Sequence, residues 1–196
     1  MKLIFSFILS AFLLLFTVST GFTYEWELDK AHSEIRFKVN HIHTHVSGGF
    51  NDFEGNISFD PASPETGKIN FTVNVNSIDT NNGKRDNHLR SKDFFTASDF
   101  PEMKFQSTKI SRIKDNLFAL EGKMTIKDVS KDIRIEFLFF EPKPHPFDKK
   151  KNVAGFTTRF SLNRLDYGVG SGKFFKMGVV GKDVEVEIAT ETLTAK

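Results

Sequence analysis

The sequence predicts an all-β fold in which eight antiparallel strands close into an up-and-down barrel. Segments that alternate apolar and polar residues recur along the chain, which is the pattern of strands with one buried face. The links between them are of hairpin length, and no segment with helical periodicity is longer than the connection at residues 77–101. Closing the sheet removes its exposed edges. An eight-stranded barrel has room inside for side chains or one small ligand. A β-sandwich of the same strands is the alternative.

Eight segments carry the alternation, and the clearest is the one in which Ile69, Phe71 and Val73 alternate with asparagine and threonine. The predicted strands cover residues 35–39, 50–59, 69–75, 103–108, 118–126, 133–139, 154–162 and 184–188. Proline, glycine and lysine mark residues 60–67 and 141–152 as surface loops. Residues 164–182 are rich in glycine and have no clear period.

The long connection at residues 77–101 is predicted to hold a short helix. Asn81, Asn82 and Gly83 have the residue types of a turn, and a dense polar cluster follows them. On a helix, Leu89 would dock on the barrel while Asp86 and Arg90 pair at positions i and i+4. The paired phenylalanines at 94 and 95 would then fix the connection on the core.

The N-terminal residues 1–23 are predicted to be a secretory signal peptide, cleaved between Gly21 and Thr23. Lys2 precedes an apolar run that is short for a membrane span and ends in small residues. An uncleaved anchor is the alternative. Residues 24–196 would form one domain, periplasmic or secreted. With no cysteine it needs no disulfide, and its net charge of +2 argues against nucleic acid as a partner.

Three histidines, His41, His43 and His45, are expected to continue the face of the first strand before residues 47–49 turn the chain. Two imidazoles at i and i+2 with a third group can form a zinc site. The simpler interpretation places them at the barrel mouth or in solvent, with His41 the one that points inward.

The connection also carries the parts for acid–base chemistry, Arg85, Asp86 and His88. A structural ion-pair cluster is the favoured interpretation, because spacing alone does not assemble a catalytic group. Nucleophile elbows, phosphate-binding glycine loops and HExxH motifs do not occur. The sequence therefore does not predict an enzyme.

Three groups of residues form a recognisable pattern along the mature chain. The opening group comprises Asp29, His32, Ser33, Phe37, Val39, His41, Gly49, Phe50, Phe53 and Gly55. The central group comprises Ser77, Ile78, Asp79, Thr80, Arg85, Asp86, His88, Leu89, Ser91, Asp93, Phe94, Phe95, Pro101 and Phe105. The later group comprises Gly122, Met124, Thr125, Ile126, Val129, Arg164, Tyr167, Gly168, Asp183 and Val184. In these residues the whole mature chain, from about residue 24 to residue 191, resembles the YceI-like family. His43, His45 and the proline-rich loop at 141–148 depart from the family pattern.

The resemblance implies a lipocalin-like barrel that binds a polyisoprenoid or another long-chain amphiphile in its interior. The expected lining residues are the core-facing ones: Phe37, Val39, Phe71, Val73, Phe105, Phe118, Leu120, Ile135, Phe137, Phe156 and Phe160. His41 and either Arg85 or His88 are expected to meet a polar headgroup.

The expected partner is thus a long-chain lipid or isoprenoid, with no cofactor besides this ligand and no membrane segment once the signal is removed. A homodimer is left open. The alternatives are an enzyme that acts on the bound amphiphile through Arg85, Asp86 and His88, and a histidine-rich metal-binding protein.

Overall fold

The computed structural model describes residues 24–195, which form ten strands and two short helices. The strands are β1 Glu25–His41, β2 Thr44–Phe50, β3 Phe53–Ser58, β4 Lys68–Asn74, β5 Ile78–Asp79, β6 Glu102–Lys114, β7 Leu117–Ile126, β8 Val129–Pro144, β9 Lys151–Asn163 and β10 Val180–Ala195. The helices are α1 Gly83–Arg90 and α2 Lys173–Lys176. Short 3₁₀ turns cover Pro64–Thr66, Val75–Ser77 and Arg164–Tyr167.

Eight of these strands form a closed antiparallel ring, which confirms the predicted barrel. The order around the ring is β1, β3, β4, β6, β7, β8, β9 and β10, and β10 pairs with β1 to close it. The short strands β2 and β5 extend the wall beside the second half of β1. β1 pairs with β3 through Glu25 and Trp26, and then with β2 from Ile35 onward.

Side-chain alternation on β8 shows why these segments are strands. Ile135, Phe137 and Phe139 are buried inside the barrel, whereas the residues between them are exposed. The predicted strand at 50–59 is interrupted at residues 51–52, where the chain leaves β2 and starts β3.

The first reversal lies at Ile42 and His43, not at residues 47–49 as the sequence suggested. Ile42 adopts a left-handed conformation with φ 50°, and β2 begins at Thr44, after His43. Gly48 and Gly49 lie within β2, and a Cβ at Gly48 would sit 2.7 Å from Cζ of Phe37. This glycine permits close approach of an aromatic ring and is not a turn residue.

The predicted single face of three histidines is therefore wrong. His41 ends β1 and pairs with Thr44, while His45 lies on β2 opposite Asn40. His43 belongs to the turn between the two strands. A reversal in the middle of the motif places its histidines on two strands and a turn.

The helix in the 77–101 connection is confirmed as α1. Asn82 caps it by accepting a hydrogen bond from the Arg85 amide at 3.1 Å. The expected pairing of Asp86 with Arg90 is wrong, because Arg90 donates to the carbonyl oxygens of Asn76 and Ile78 instead. Asp86 is buried and faces the chain that leads into the helix.

One end of the barrel is filled by aromatic side chains, and we call it the closed end. Its members share one buried cluster and include Trp26, Phe59, Phe118, Phe137, Phe139 and Phe156. The opposite end carries α1, α2 and the β1–β2 turn, and we call it the helix end. Separate clusters around Phe50 and around Phe94 pack there.

The predicted signal peptide, with its cleavage site between Gly21 and Thr23, lies outside the described residues. Between residues 24 and 195, no helix is long and apolar enough to span a bilayer.

Candidate functional site

The barrel interior contains a cavity between the closed end and the helix end. The cavity volume is about 200 Å³. Strands on all sides of the ring contribute apolar side chains to its wall, so its surface is apolar. Such a wall offers dispersion contacts and desolvation but hardly any hydrogen bonds, which suits a hydrocarbon chain.

Most of the predicted lining residues do line this cavity. They are Phe37, Val39, Phe71, Val73, Phe105, Leu120, Ile135, Phe137, Phe156 and Phe160. Each follows the inward phase of a strand, so the period-two pattern identified the correct face. Phe137 also packs against Phe59 and Phe118 in the closed end.

Phe118 does not line the cavity, although its strand phase is inward. It is completely buried, and its ring lies 5.1 Å from that of Phe59 and 5.4 Å from that of Phe137. Position along the strand, which alternation does not report, decides whether an inward residue fills space or borders it.

His41, Arg85 and His88 do not line the cavity either. Arg85 donates from Nε to Oγ1 of Thr80 at 2.7 Å and from Nη2 to the Thr80 carbonyl oxygen at 2.7 Å. His88 hydrogen-bonds Asp93 at 2.8 Å. These contacts stabilise the conformation of the connection. Within residues 24–195, the Asp86 carboxylate and the His88 imidazole form no hydrogen bond with each other.

Thr80 and Asp86 form the buried centre of this connection. The Asp86 carboxylate accepts from the Thr80 amide at 3.0 Å and from its hydroxyl at 2.5 Å. The network fixes the start of α1, whose Leu89 lines the cavity. The polar cluster therefore positions part of the wall without contacting the interior.

Several lining residues were missed, and the reasons differ. On β10, alternation gave a clear signal for Val184, Val186 and Ile188, which line the cavity beside their paired residues on β1. Val169 lies in the glycine-rich segment, where no periodicity could identify it. The remaining missed lining residues are Ile35, Arg36, Phe50, Ile57, Ile69, Ile78, Leu89, Phe94, Phe95, Met103, Lys104, Met124, Ile126, Thr157, Thr158, Leu162, Arg164, Val180 and Thr190.

Arg164 is the buried cation of the cavity wall. Its Nε donates to the Gly181 carbonyl oxygen at 2.8 Å, and its Nη1 donates to that of Val169 at 2.7 Å. Burial lowers the pKa of this guanidinium. Since its bonds go to carbonyls that flank α2, Arg164 ties the glycine-rich segment to the start of β10.

Asp29, His32 and Glu191 form the one group of possible metal ligands found among residues 24–195. Their ligand atoms lie within 4.8 Å of one another on the outer surface. His32 Nδ1 lies 2.9 Å from the Asp29 carboxylate. This hydrogen bond lowers the pKa of Asp29 and raises that of His32. The pair braces an irregularity in β1 where the register with β10 shifts between Asp29 and Glu34.

Comparisons with known proteins agree with this architecture. The chain is 31% identical to protein YceI of Salmonella arizonae over 186 residues, which is 93% of this chain and 94% of that protein. The crystal structure of Burkholderia cenocepacia BcnA has a TM-score of 0.77 at 21% identity, covering 86% of this chain and 99% of that one.

A polyisoprenoid binding domain from Saccharophagus degradans has a TM-score of 0.61 at 13% identity, covering 88% of this chain and 99% of that one. At such low identities the last two likenesses establish the fold alone. The profile of the YceI-like domain matches residues 26–192, which spans nearly all of the described chain. The chain therefore belongs to the YceI-like family.

Proposed function

We propose that this protein is an exported binding protein that carries or sequesters a long-chain ligand inside the barrel. The ligand would be either a quinone-like isoprenoid or a fatty amphiphile. The observation that carries the proposal is the apolar cavity between the two ends. Membership of the YceI-like family and the fold shared with a polyisoprenoid binding domain support it.

The packing of the two ends supports one direction of entry. Phe59, Phe118 and Phe139 are at most 1% exposed, so their rings fill the closed end. At the helix end, the wall is completed by residues outside the main ring, such as Leu89 and Phe94. A hydrocarbon tail would therefore enter between the helices and the rim of the barrel, with its tip toward the aromatic cluster.

Tail length would decide affinity. Burying one methylene group contributes about 0.8 kcal/mol, so about ten carbons contribute roughly 8 kcal/mol. Association costs about 4–15 kcal/mol, so a tail of about twenty carbons or more is needed for a clear surplus.

A polar headgroup would remain at the helix end, because the cavity wall is apolar. Arg85 and His88, which were expected to meet it, are engaged with Thr80 and Asp93. Nothing in their placement favours the enzyme alternative. Export rests on residues 1–23, whose composition is that of a signal peptide.

Native mass spectrometry of the protein purified from its own host, followed by organic extraction, tests the proposal. We expect a mass excess that extracts as a prenyl or long-acyl species. A mass equal to the apo chain, with no uptake of added quinone or fatty amide, would exclude the carrier role.

A matched pair of variants links any uptake to the cavity. Phe71→Ser changes a half-buried lining residue, whereas Phe140→Ser changes a side chain that is 49% exposed on the outer face. We expect Phe71→Ser to lose most of the bound ligand with unchanged far-UV circular dichroism, and Phe140→Ser to keep it. Equal retention in both variants would place the ligand elsewhere.

A further inference from the structure

The helix end presents exposed apolar side chains that the barrel fold does not require. Ile42 is 59% exposed, Phe175 is 42% exposed and Met177 is 61% exposed. We call these three residues, together with Lys173, Lys176 and Lys182, the α2 rim. Exposed apolar groups that cluster on a surface are typical of interaction sites.

Backbone and ring contacts bring the α2 rim together beside the cavity. The Ile42 amide donates to the Val179 carbonyl oxygen at 3.1 Å, which joins the β1–β2 turn to the segment after α2. Phe174 stacks on Phe94 with ring centroids 5.6 Å apart, and Phe94 lines the cavity. The α2 rim therefore borders the end through which a tail would enter.

The charge of the α2 rim has one sign. Lys173, Lys176 and Lys182 are exposed, and residues 173–182 contain no aspartate or glutamate. Five other lysines form ion pairs among residues 24–195, and these three lysines of the α2 rim are not among them. The ammonium group of Lys182 lies 6.0 Å from the Phe175 ring, so cation and aromatic group share one surface.

We propose that the α2 rim docks the protein on the surface of an anionic lipid bilayer, an inference that rests on the proposed lipid-carrier function. Short segments with aromatic or aliphatic groups beside lysines bind at the boundary between headgroups and acyl chains. Each lysine near an anionic surface adds to the attraction. Docking here would place the helix end against the membrane, so that a tail passes between bilayer and cavity without crossing water.

A second basic and aromatic surface lies at the opposite end of the barrel, and it provides the control. In the β8–β9 loop Phe147 is 94% exposed, and Lys149 and Lys150 follow it after Asp148. That loop adjoins the closed end, where Lys151 pairs with Glu27 at 3.0 Å. Docking there would hold the packed aromatic cluster, not the cavity, against the bilayer.

Co-sedimentation with vesicles tests the assignment. The purified protein is mixed with vesicles of phosphatidylcholine alone or of phosphatidylcholine with phosphatidylglycerol. We expect binding that depends on phosphatidylglycerol. The double variant Phe175→Ser/Met177→Ser should weaken it by about tenfold or more, because both side chains would lose their burial in the interface. Phe147→Ser should bind as the unaltered protein does.

Two further measurements separate the possible failures. Lys173→Gln/Lys176→Gln should lose the preference for anionic vesicles, and native mass spectrometry of both double variants should still show bound ligand. Equal vesicle binding by the double variants and the unaltered protein, or a loss found with Phe147→Ser instead, would overturn the docking proposal. Absence of ligand from the unaltered protein would instead count against the carrier function.

Discussion

The closed end and the helix end of the barrel use the same residue type in opposite ways. In the closed end, Phe59 lies in edge-to-face contact with four rings, with centroids 5.1–5.8 Å apart. Toward the helix end, Phe37 and Phe71 line a space instead of filling it. Trp26 is tied to Phe59 in the closed end, since Trp26 Nε1 donates to the Phe59 carbonyl oxygen at 2.9 Å. A phenylalanine-rich sequence can thus provide both a stabilising core and a binding cavity.

Phe59→Ala should have the largest effect, because it removes the central ring of the closed end. We expect a loss of about 3–5 kcal/mol in the free energy of unfolding, measured by urea denaturation. Phe71→Ala removes a half-buried ring that borders an existing space, so it should cost clearly less. Equal losses would show that the two ends do not differ in packing as described.

Asp86→Ala tests what holds the helix end together. The substitution leaves the buried amide and hydroxyl of Thr80 without their acceptor, so we expect a loss of about 1–3 kcal/mol in unfolding free energy. Asp86→Asn keeps one acceptor oxygen and should lose less. If Asp86→Ala had the same unfolding free energy as the unaltered protein, the Thr80–Asp86 network would not stabilise the end that carries α1.

Val186→Trp tests whether the space toward the helix end is available for a ligand. Val186 is half-buried and lines the cavity, so the larger ring should occupy space that a tail would use. We expect most ligand uptake to be lost, with a destabilisation below the about 1–3 kcal/mol that inserting extra volume into a filled core costs, because the cavity accepts the ring. A large destabilisation with uptake retained would mean that this part of the barrel is already filled.

His32→Gln should have the smallest effect, at the junction where β1 leaves β3 and joins β2. The hydrogen bond to Asp29 raises the pKa of His32, so its stabilisation is complete below about pH 6.5 and is lost as the pH rises through the raised value. Asp29 has a lowered pKa, so its stabilisation is present above about pH 4 and is lost as the pH falls through the lowered value.

Thermal unfolding of His32→Gln and the unaltered protein at pH 5.5 and pH 8.5 checks this pH dependence. The difference in Tm should be larger at pH 5.5. The same difference at both pH values would mean that the imidazole acts without its charge.

Sequence patterns predicted the barrel well because alternation depends on one physical requirement, the burial of one face of each strand. They identified the inward set on β8 and β9, including Ile135, Phe137 and Phe156. They could not tell Phe118 from a cavity residue, because depth along the barrel depends on which rings arrive from other strands. The histidine motif misled for a related reason, since the left-handed turn at Ile42 has no glycine or asparagine to announce it.

The pairing of β1 with β10 also governs how the chain reaches its native state. The partners extend from Glu27 opposite Leu193 to His41 opposite Val180, so the first and last strands of the domain are direct neighbours. Contacts between residues so distant in sequence are slow to form. During synthesis, one edge of β1 must stay without its partner until the C-terminal residues have emerged. Truncation within β10 would leave an open sheet whose edge strands have unpaired backbone N–H and C=O groups, and such a sheet is prone to aggregation.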